Sequence, residues 1–288
     1  MQIIYNLFIF PLSFLPLRFL HILGGGVYFI LYYVIRYRKK VIASNLRNSF
    51  PQIGETEIQK TIREFYHRFS EIIMEMVKML TISRKEVNHR ISFINTELIN
   101  RYFEEGRNVV AVVGHFGNWE LGGYGLNQVC RHKILAVYKS MSSGFFDRLI
   151  YRFRSRFGTI PVEMGMIARQ LMKPENEPWM SVFIADQSPL LVEHSEWVNF
   201  LGQKSAVYSG SAKIAVRFNA PVVFCRMQRL RRGYYCVEFI QLHENPARTT
   251  VSEITRLHTE LLEKIIREDP AGWLWTHKRW KRKQPSTT

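Results

Sequence analysis

Val109-Val110-Ala111-Val112-Val113-Gly114-His115-Phe116-Gly117-Asn118-Trp119-Glu120 is the stretch on which the reading of this chain turns. The β-branched run reads as a buried strand, with Gly114 as the turn that ends it. Leu121 onward, with Tyr124 and Leu126, can open a helix. The exposed position after a buried strand is where α/β proteins place ligands. An imidazole and a carboxylate five positions apart across such a turn can fold back toward each other. Glu120 is then expected to accept the proton on one ring nitrogen of His115 and fix its tautomer, leaving the other nitrogen free as a general base. No Ser or Cys lies inside the motif, so an acceptor hydroxyl would have to come from the substrate. The spacing alone is weak, because a histidine satisfied by a backbone partner in a βα loop has the same sequence.

The chain's 288 residues can hold one large α/β domain with accessory elements. Its 47% hydrophobic content supports a core and excludes a disordered chain. The formal net charge is +16, and it is clustered. Arg36, Arg38, Lys39, Lys40 and Arg47 form one group; Lys278, Arg279, Lys281, Arg282 and Lys283 form another. Such surfaces favour nucleic acid, an anionic membrane or an anionic substrate, and charge alone does not choose among them. Cys130, Cys225 and Cys236 have neither Cys-x-x-Cys spacing nor an even count, so a disulfide framework is not expected. The nine histidines are scattered, with no metal-ligand spacing, and no metal is expected.

The N-terminus narrows the choice of partner. Residues 1–17 carry no charged side chain, and after Arg18 residues 19–35 carry none. Each stretch as a helix is about 26 Å long, just short of a hydrocarbon core of about 30 Å. Phe8, Phe10, Phe14, Phe19, Tyr28, Phe29, Tyr32 and Tyr33 give it the aromatic content of interfacial helices. Pro11 and Pro16 are expected to break the first stretch and Gly24-Gly25-Gly26 to loosen the second. The basic residues follow the apolar region, which fits a cleaved signal peptide poorly and places the following domain on the cytoplasmic side. One span or a deeply inserted hairpin is expected; a greasy hairpin packed on the soluble core is the other reading. A membrane anchor argues against nucleic acid and for a lipid surface.

Along the rest of the chain, Ile58, Ile62, Phe65, Phe69, Ile72, Met76 and Met79 recur at steps of four and three, which predicts a long amphipathic helix over 55–80. His67 and Glu71 read as its surface residues. Strands are expected at 134–138, 159–162, 179–185, 222–227 and 235–242, with helices near 145–157, 164–173, 208–219 and 250–268. This alternation indicates an α/β fold with a mostly parallel central sheet flanked by helices. Arg229 to Gly233 reads as the turn of a closing antiparallel hairpin. In the 145–157 helix, Phe146, Leu149, Ile150, Phe153 and Phe157 share a face, and Arg148, Arg152 and Arg156 form an adjacent stripe able to grip phosphate or carboxylate. An ordinary charged helix face looks the same. Asp186-Gln187 would lie on the same sheet edge as His115 if the strands are parallel; Asp186 could orient a basic residue or an acceptor sugar, or cap a turn. Ser209 opens the 208–219 helix as an anion site or a plain cap. Trp273 to Arg282 interleaves three indoles with cations, which fits membrane-interface anchoring or single-stranded nucleic-acid stacking, the apolar N-terminus favouring the former.

With these residues in hand, the chain resembles the lipid A biosynthesis acyltransferases of Gram-negative bacteria, the late lauroyl/myristoyl transferases within the glycerolipid and lysophospholipid acyltransferase superfamily. Ser44-Asn45-Leu46-Arg47-Asn48-Ser49-Phe50-Pro51 is similar to the family's Asn-Leu…Phe-Pro segment, and His115 to Glu120 to its His-x4-Asp/Glu block. Arg148 through Gly158 resembles the arginine-rich second block. Asp186-Gln187, Phe200-Leu201-Gly202 and Ser209-Gly210 resemble the third, although the family commonly has Phe-Phe-Gly. Pro221-Val222-Val223 resembles the fourth, and Trp275 to Lys281 the C-terminal signature.

The resemblance implies transfer of a fatty acyl chain from an acyl carrier protein thioester, or from coenzyme A, to a hydroxyl of a lipid A precursor at the cytoplasmic face of the inner membrane. Lysophospholipid, aminolipid and glycolipid acceptors are the alternatives. Residues 1–40 are then the membrane anchor and 41–288 the cytoplasmic catalytic domain, with no cofactor required. His115 and Glu120 are the expected catalytic residues. Arg148, Arg152, Arg156, Asp186, Gln187 and Ser209 are expected to bind substrate; the arginines face either the acceptor's anionic groups or the acidic carrier protein. Helix-start N–H groups or Arg152 are candidates for stabilising the oxyanion. A lipid thioesterase would need a protein nucleophile, and no Gly-x-Ser-x-Gly elbow is present. A membrane-tethered nucleic-acid binder would owe nothing to His115.

Overall fold

Val109 to Val112 are buried on both faces of the strand they form, as β-branched residues in the middle of a helix-covered sheet must be. In the computed structural model of the protein, which describes residues 2–140, 144–173, 177–189, 192–282 and 284, this strand is the middle one of seven. Lys283, and the side chain of Phe146, lie outside the described residues. Two short helical turns, α1 (Gln2–Ile4) and α2 (Phe10–Leu12), precede α3 (Leu17–Phe29), α4 (Lys39–Ser49), α5 (Glu55–Met79) and α6 (Arg84–Arg90). The chain continues as β1 (Ile91–Ile94), α7 (Thr96–Glu104), β2 (Val109–Val113), α8 (Trp119–Val129), β3 (Lys133–Tyr138), α9 (Gly144–Ser155), β4 (Ile160–Glu163), α10 (Ile167–Leu171) and β5 (Trp179–Ile184). A hairpin of β6 (Ser195–Phe200) and β7 (Gln203–Tyr208) follows, then α11 (Gly210–Phe218), β8 (Val222–Arg231), β9 (Tyr234–His243) and α12 (Val251–Glu268).

The sheet order is β1-β9-β8-β2-β5-β3-β4. All its pairs are parallel except β8–β9, the hairpin expected around Arg229 to Gly233. The α/β class, the mostly parallel sheet and the flanking helices therefore stand as the pattern indicated. The short edge strand β1 and the β6–β7 hairpin go beyond it. Both are four to six residues long and lack a clean apolar alternation, so tertiary pairing defines them. Helix α8 sits very close to the sheet: a Cβ on Gly125 would meet the Phe93 ring at 2.6 Å.

Helix α3 begins directly after Pro16 and runs unbroken through Gly24-Gly25-Gly26, contrary to the loosening expected there. It packs along α5, burying Leu17, Leu20 and His21. Its other side leaves Phe19, Ile22, Leu23 and Phe29 exposed, and Ile3, Leu7 and Phe8 before it are exposed as well. The window Leu17–Val34 is long and apolar enough to cross a membrane. Helix α5 runs over the expected range; His67 is exposed, and Glu71 is ion-paired with Arg229 and Arg232.

The C-terminal indoles correct the membrane-interface expectation. Trp273 and Trp275 are buried, and all three indole N–H groups donate inside the protein: Trp273 to Asp186, Trp275 to the Pro270 carbonyl at 2.6 Å and Trp280 to Ser205 Oγ at 2.8 Å. Arg279 is buried as well and donates to the Ala206 carbonyl at 2.8 Å. Burial lowers its pKa to about 10, with the charge of Asp186 acting the other way. Phe200, in the Phe-Leu-Gly turn of the β6–β7 hairpin, packs edge-on against Trp273. The segment closes the core because aromatic rings with satisfied N–H groups bury large apolar area.

Candidate active site

Parallel pairing of β2 with β5 sets Val113 opposite Ile184. His115 and Asp186 each lie two residues beyond that pair, so register alone brings them to adjacent points on one sheet edge. His115 Nδ1 donates to Asp186 Oδ1 at 2.6 Å, and the His115 backbone N–H donates to Oδ2 at 2.7 Å. Trp273 Nε1 also donates to Oδ2, at 2.7 Å. The Asp186 carboxylate thus takes three donors while the residue is only 4% exposed. Burial alone would raise its pKa; the charge of His115, its two hydrogen bonds and that of Trp273 outweigh this and hold it at about 2. The network assigns the proton of a neutral imidazole to Nδ1, which leaves the lone pair on Nε2. The Gln187 side-chain amide donates to that Nε2 at 3.3 Å.

The turn itself is built by backbone. The Gly117 N–H donates to the Gly272 carbonyl at 3.0 Å, and the Leu274 N–H to the His115 carbonyl at 3.0 Å. Gly117 has φ +55°, a conformation that costs a side-chain-bearing residue, and a Cβ there would press on Met227 at 3.0 Å. Asn118 caps α8, its Oδ1 accepting the Leu121 N–H at 3.0 Å.

Glu120 is not the carboxylate on His115, which corrects the sequence expectation. At the second position of α8 it points toward α9 and pairs with Arg154, at 2.5 Å to Nη2 and 3.1 Å to Nε. Trp119 Nε1 donates to it at 3.2 Å. Burial would lower the Arg154 pKa, but the charge of Glu120 and its hydrogen bonds raise it overall. Five residues across a turn and into a helix turn the side chain away from the imidazole; a residue 71 positions distant, just past the neighbouring strand, takes its place. Arg154, two residues from both Arg152 and Arg156 and so off their stripe, carried no signal of its own in sequence.

Beside the turn runs a cleft lined by Val113, Trp119, Gly123, Leu126, Val182 and Met227, with the Glu120–Arg154 pair as its polar wall. The Trp119 ring stands edge-on to the His115 ring at 4.9 Å between centroids. Arg148 and Arg152 on α9 and Arg156 just past its end lie exposed, along a second cleft shared with Tyr5 and Phe10 of the N-terminal helical segment. Arg156 also donates to the Met79 carbonyl at 2.6 Å. Ser209 is buried at the start of α11, where its carbonyl accepts the Lys213 N–H. The structure therefore assembles His115, Asp186 and Gln187, sets Glu120 at the cleft wall, and places the three arginines and Ser209 elsewhere. Among the described residues no group of three His, Cys, Asp or Glu side chains could hold a metal ion.

A histidine tied to a buried aspartate at the end of parallel strands, beside an apolar cleft, is the equipment of an α/β enzyme that acts on molecules with an apolar part. The chain belongs to the bacterial lipid A biosynthesis acyltransferase family, whose pattern it matches over residues 1–282. A relative from Haemophilus influenzae named lipid A biosynthesis acyltransferase is 23% identical over 279 residues, covering 93% of this chain and 83% of that one. The protein is an acyltransferase of lipid A synthesis by family, and its apolar N-terminal helix together with that membership points to membrane association.

Proposed function

We propose that this protein moves a fatty acyl chain from an acyl carrier protein thioester to a hydroxyl of a lipid A precursor, at the cytoplasmic face of the inner membrane. The observation that carries the reading is the His115–Asp186 pair, which keeps the Nε2 lone pair of His115 beside an apolar cleft. His115 removes the proton from the acceptor hydroxyl as its oxygen attacks the thioester carbonyl, and the thiolate departs with the electrons of the broken C–S bond. Asp186 orients the imidazole and stabilises the imidazolium that forms. The Gln187 amide, on the Nε2 side, is displaced by the incoming hydroxyl and is placed to donate to it. The fatty acyl chain occupies the cleft under α8, with the Glu120–Arg154 pair holding α9 against α8 at its wall.

Arg148, Arg152 and Arg156 grip the acceptor's phosphate groups beside the exposed apolar helices, which seat residues 1–40 in the bilayer. The basic run from Arg36 to Lys40 supports a cytoplasmic position for residues 41–288. Mass spectrometry of lipid A from a strain lacking the protein tests the acceptor: loss of a single acyl chain is expected, and unchanged lipid A would refute it. Purified protein with acyl carrier protein or coenzyme A thioesters tests the donor. Release of free fatty acid without acylated lipid would mean a thioesterase instead.

A further inference from the structure

Glu75, on α5 four residues beyond Glu71, is a second enclosed carboxylate, 4% exposed. Three separate elements donate to it. Asn118 Nδ2 and the Tyr235 hydroxyl each reach Oε2 at 2.8 Å, and His21 Nε2 reaches Oε1 at 3.2 Å. Tyr235 belongs to β9 and His21 to the apolar helix α3. Asn118 is the residue whose other amide atom caps α8. Its side chain is gripped at both ends, by the carboxylate and by the first turn of the helix that carries Trp119 and Glu120. Nothing in the linear sequence relates residues 21, 75, 118 and 235.

We propose that Glu75 is a positioning residue that couples the seating of α3 to the geometry of the His115 turn. The inference rests on the reading of His115 as the base, and it adds a route by which the membrane-facing helix acts on that base's surroundings. A buried carboxylate needs its donors, because an oxygen left unsatisfied bears the cost of its lost hydration. Removing His21 leaves Oε1 without its partner and loosens the carboxylate that holds Asn118. The start of α8 then shifts, and with it the Trp119 ring against His115 and the Glu120–Arg154 wall of the cleft. The exposed apolar face of α3, formed by Phe19, Ile22 and Phe29, stays unchanged, so membrane attachment is not what fails.

The test uses the full chain in lipid nanodiscs, with the variants His21→Ala, Glu75→Ala, Glu75→Gln and the double variant His21→Ala/Glu75→Ala. Two quantities are read: hydrogen exchange at the Leu121 amide, and kcat and KM for acyl transfer. His21→Ala and Glu75→Ala are each expected to speed Leu121 exchange and to lower kcat by roughly tenfold with little change in KM, as small misplacements at a reacting centre do. The double variant is expected to be no worse than Glu75→Ala alone. Glu75→Gln should restore most of the loss: its oxygen can still accept from Asn118 and Tyr235, while its amide donates to His21 in the other tautomer. Unchanged Leu121 exchange in His21→Ala, or losses that multiply in the double variant, would overturn the proposal. Should Glu75→Ala not fold, His21→Ala and Glu75→Gln still decide it. A wild-type protein without acyl transfer would sink the functional reading, whereas the Leu121 exchange would still judge the coupling.

Discussion

Replacing Asp186 by Asn is the sharpest probe of the site, because the outcome follows from counting donors. Oδ1 accepts from His115 Nδ1, and Oδ2 accepts from the His115 backbone N–H and from Trp273. An asparagine offers one oxygen and one NH2. If the oxygen faced Nδ1, the NH2 would meet two N–H donors, and each buried donor left unpaired costs about 1–3 kcal/mol. The opposite orientation leaves only one conflict, at Nδ1, and the imidazole relieves it by moving its proton to Nε2. The fold then survives once Gln187, whose NH2 now meets an Nε2–H, turns its amide so that the oxygen accepts from it, but the lone pair no longer faces the acceptor hydroxyl. Inverting the tautomer of a base held by a carboxylate costs about 10⁴ in kcat, or roughly 5.5 kcal/mol. Initial rates of transfer from an acyl thioester to a lipid A precursor, with thermal unfolding as the control for folding, measure this. A folded Asp186→Asn protein with kcat within tenfold of wild type would refute the assignment of Asp186 as the orienting group.

Breaking the largely buried Glu120–Arg154 pair by Glu120→Ala or Arg154→Ala should each destabilise the protein by about 3 kcal/mol, since a charge is left unpaired. The double variant should lose much less than the sum in chemical unfolding; additive losses would show that the two do not act together. Gly123 lines the apolar cleft with open space where a side chain would start, so Gly123→Leu should shift the preference toward shorter acyl donors. An unchanged chain-length profile would remove that cleft as the acyl site. His258 is 2% exposed, and burial pushes its pKa down to about 4, with the Asp186 charge acting in the opposite sense. The unfolded chain binds a proton near pH 6.5 that the folded one refuses until about pH 4, so stability should fall as pH drops through that window, by at most about 3 kcal/mol. His277, also held at about 4, adds to the same slope, mainly through burial. Unfolding measured between pH 7 and pH 4 should flatten, without becoming level, in His258→Leu; a slope equal to wild type would exclude His258 as the source.

Much of this architecture was legible in the residues. The Val109–Val113 run had to be a strand buried on both faces, and the 3.6-residue spacing from Ile58 to Met79 had to be a helix, because each pattern buries its apolar side in only one way. The linked motifs that marked the family were legible in the same way. The strand-edge argument even set Asp186 near His115. It did not set it against Glu120 as the partner, since a five-residue spacing looks more direct than one of 71.

What the sequence by itself determined is therefore most of the helices and sheet strands, the parallel α/β class and the apolar N-terminal segment, all of which depend on neighbours close along the chain. Only the tertiary structure decided which carboxylate holds the imidazole, that Arg154 rather than His115 takes Glu120, that the C-terminal indoles lock the core, and that Glu75 ties α3 to Asn118. The physical reason is one of reach. A hydrogen bond is chosen by strand register and helix placement, which are settled by the burial of the whole core. Local spacing can only propose candidates for it.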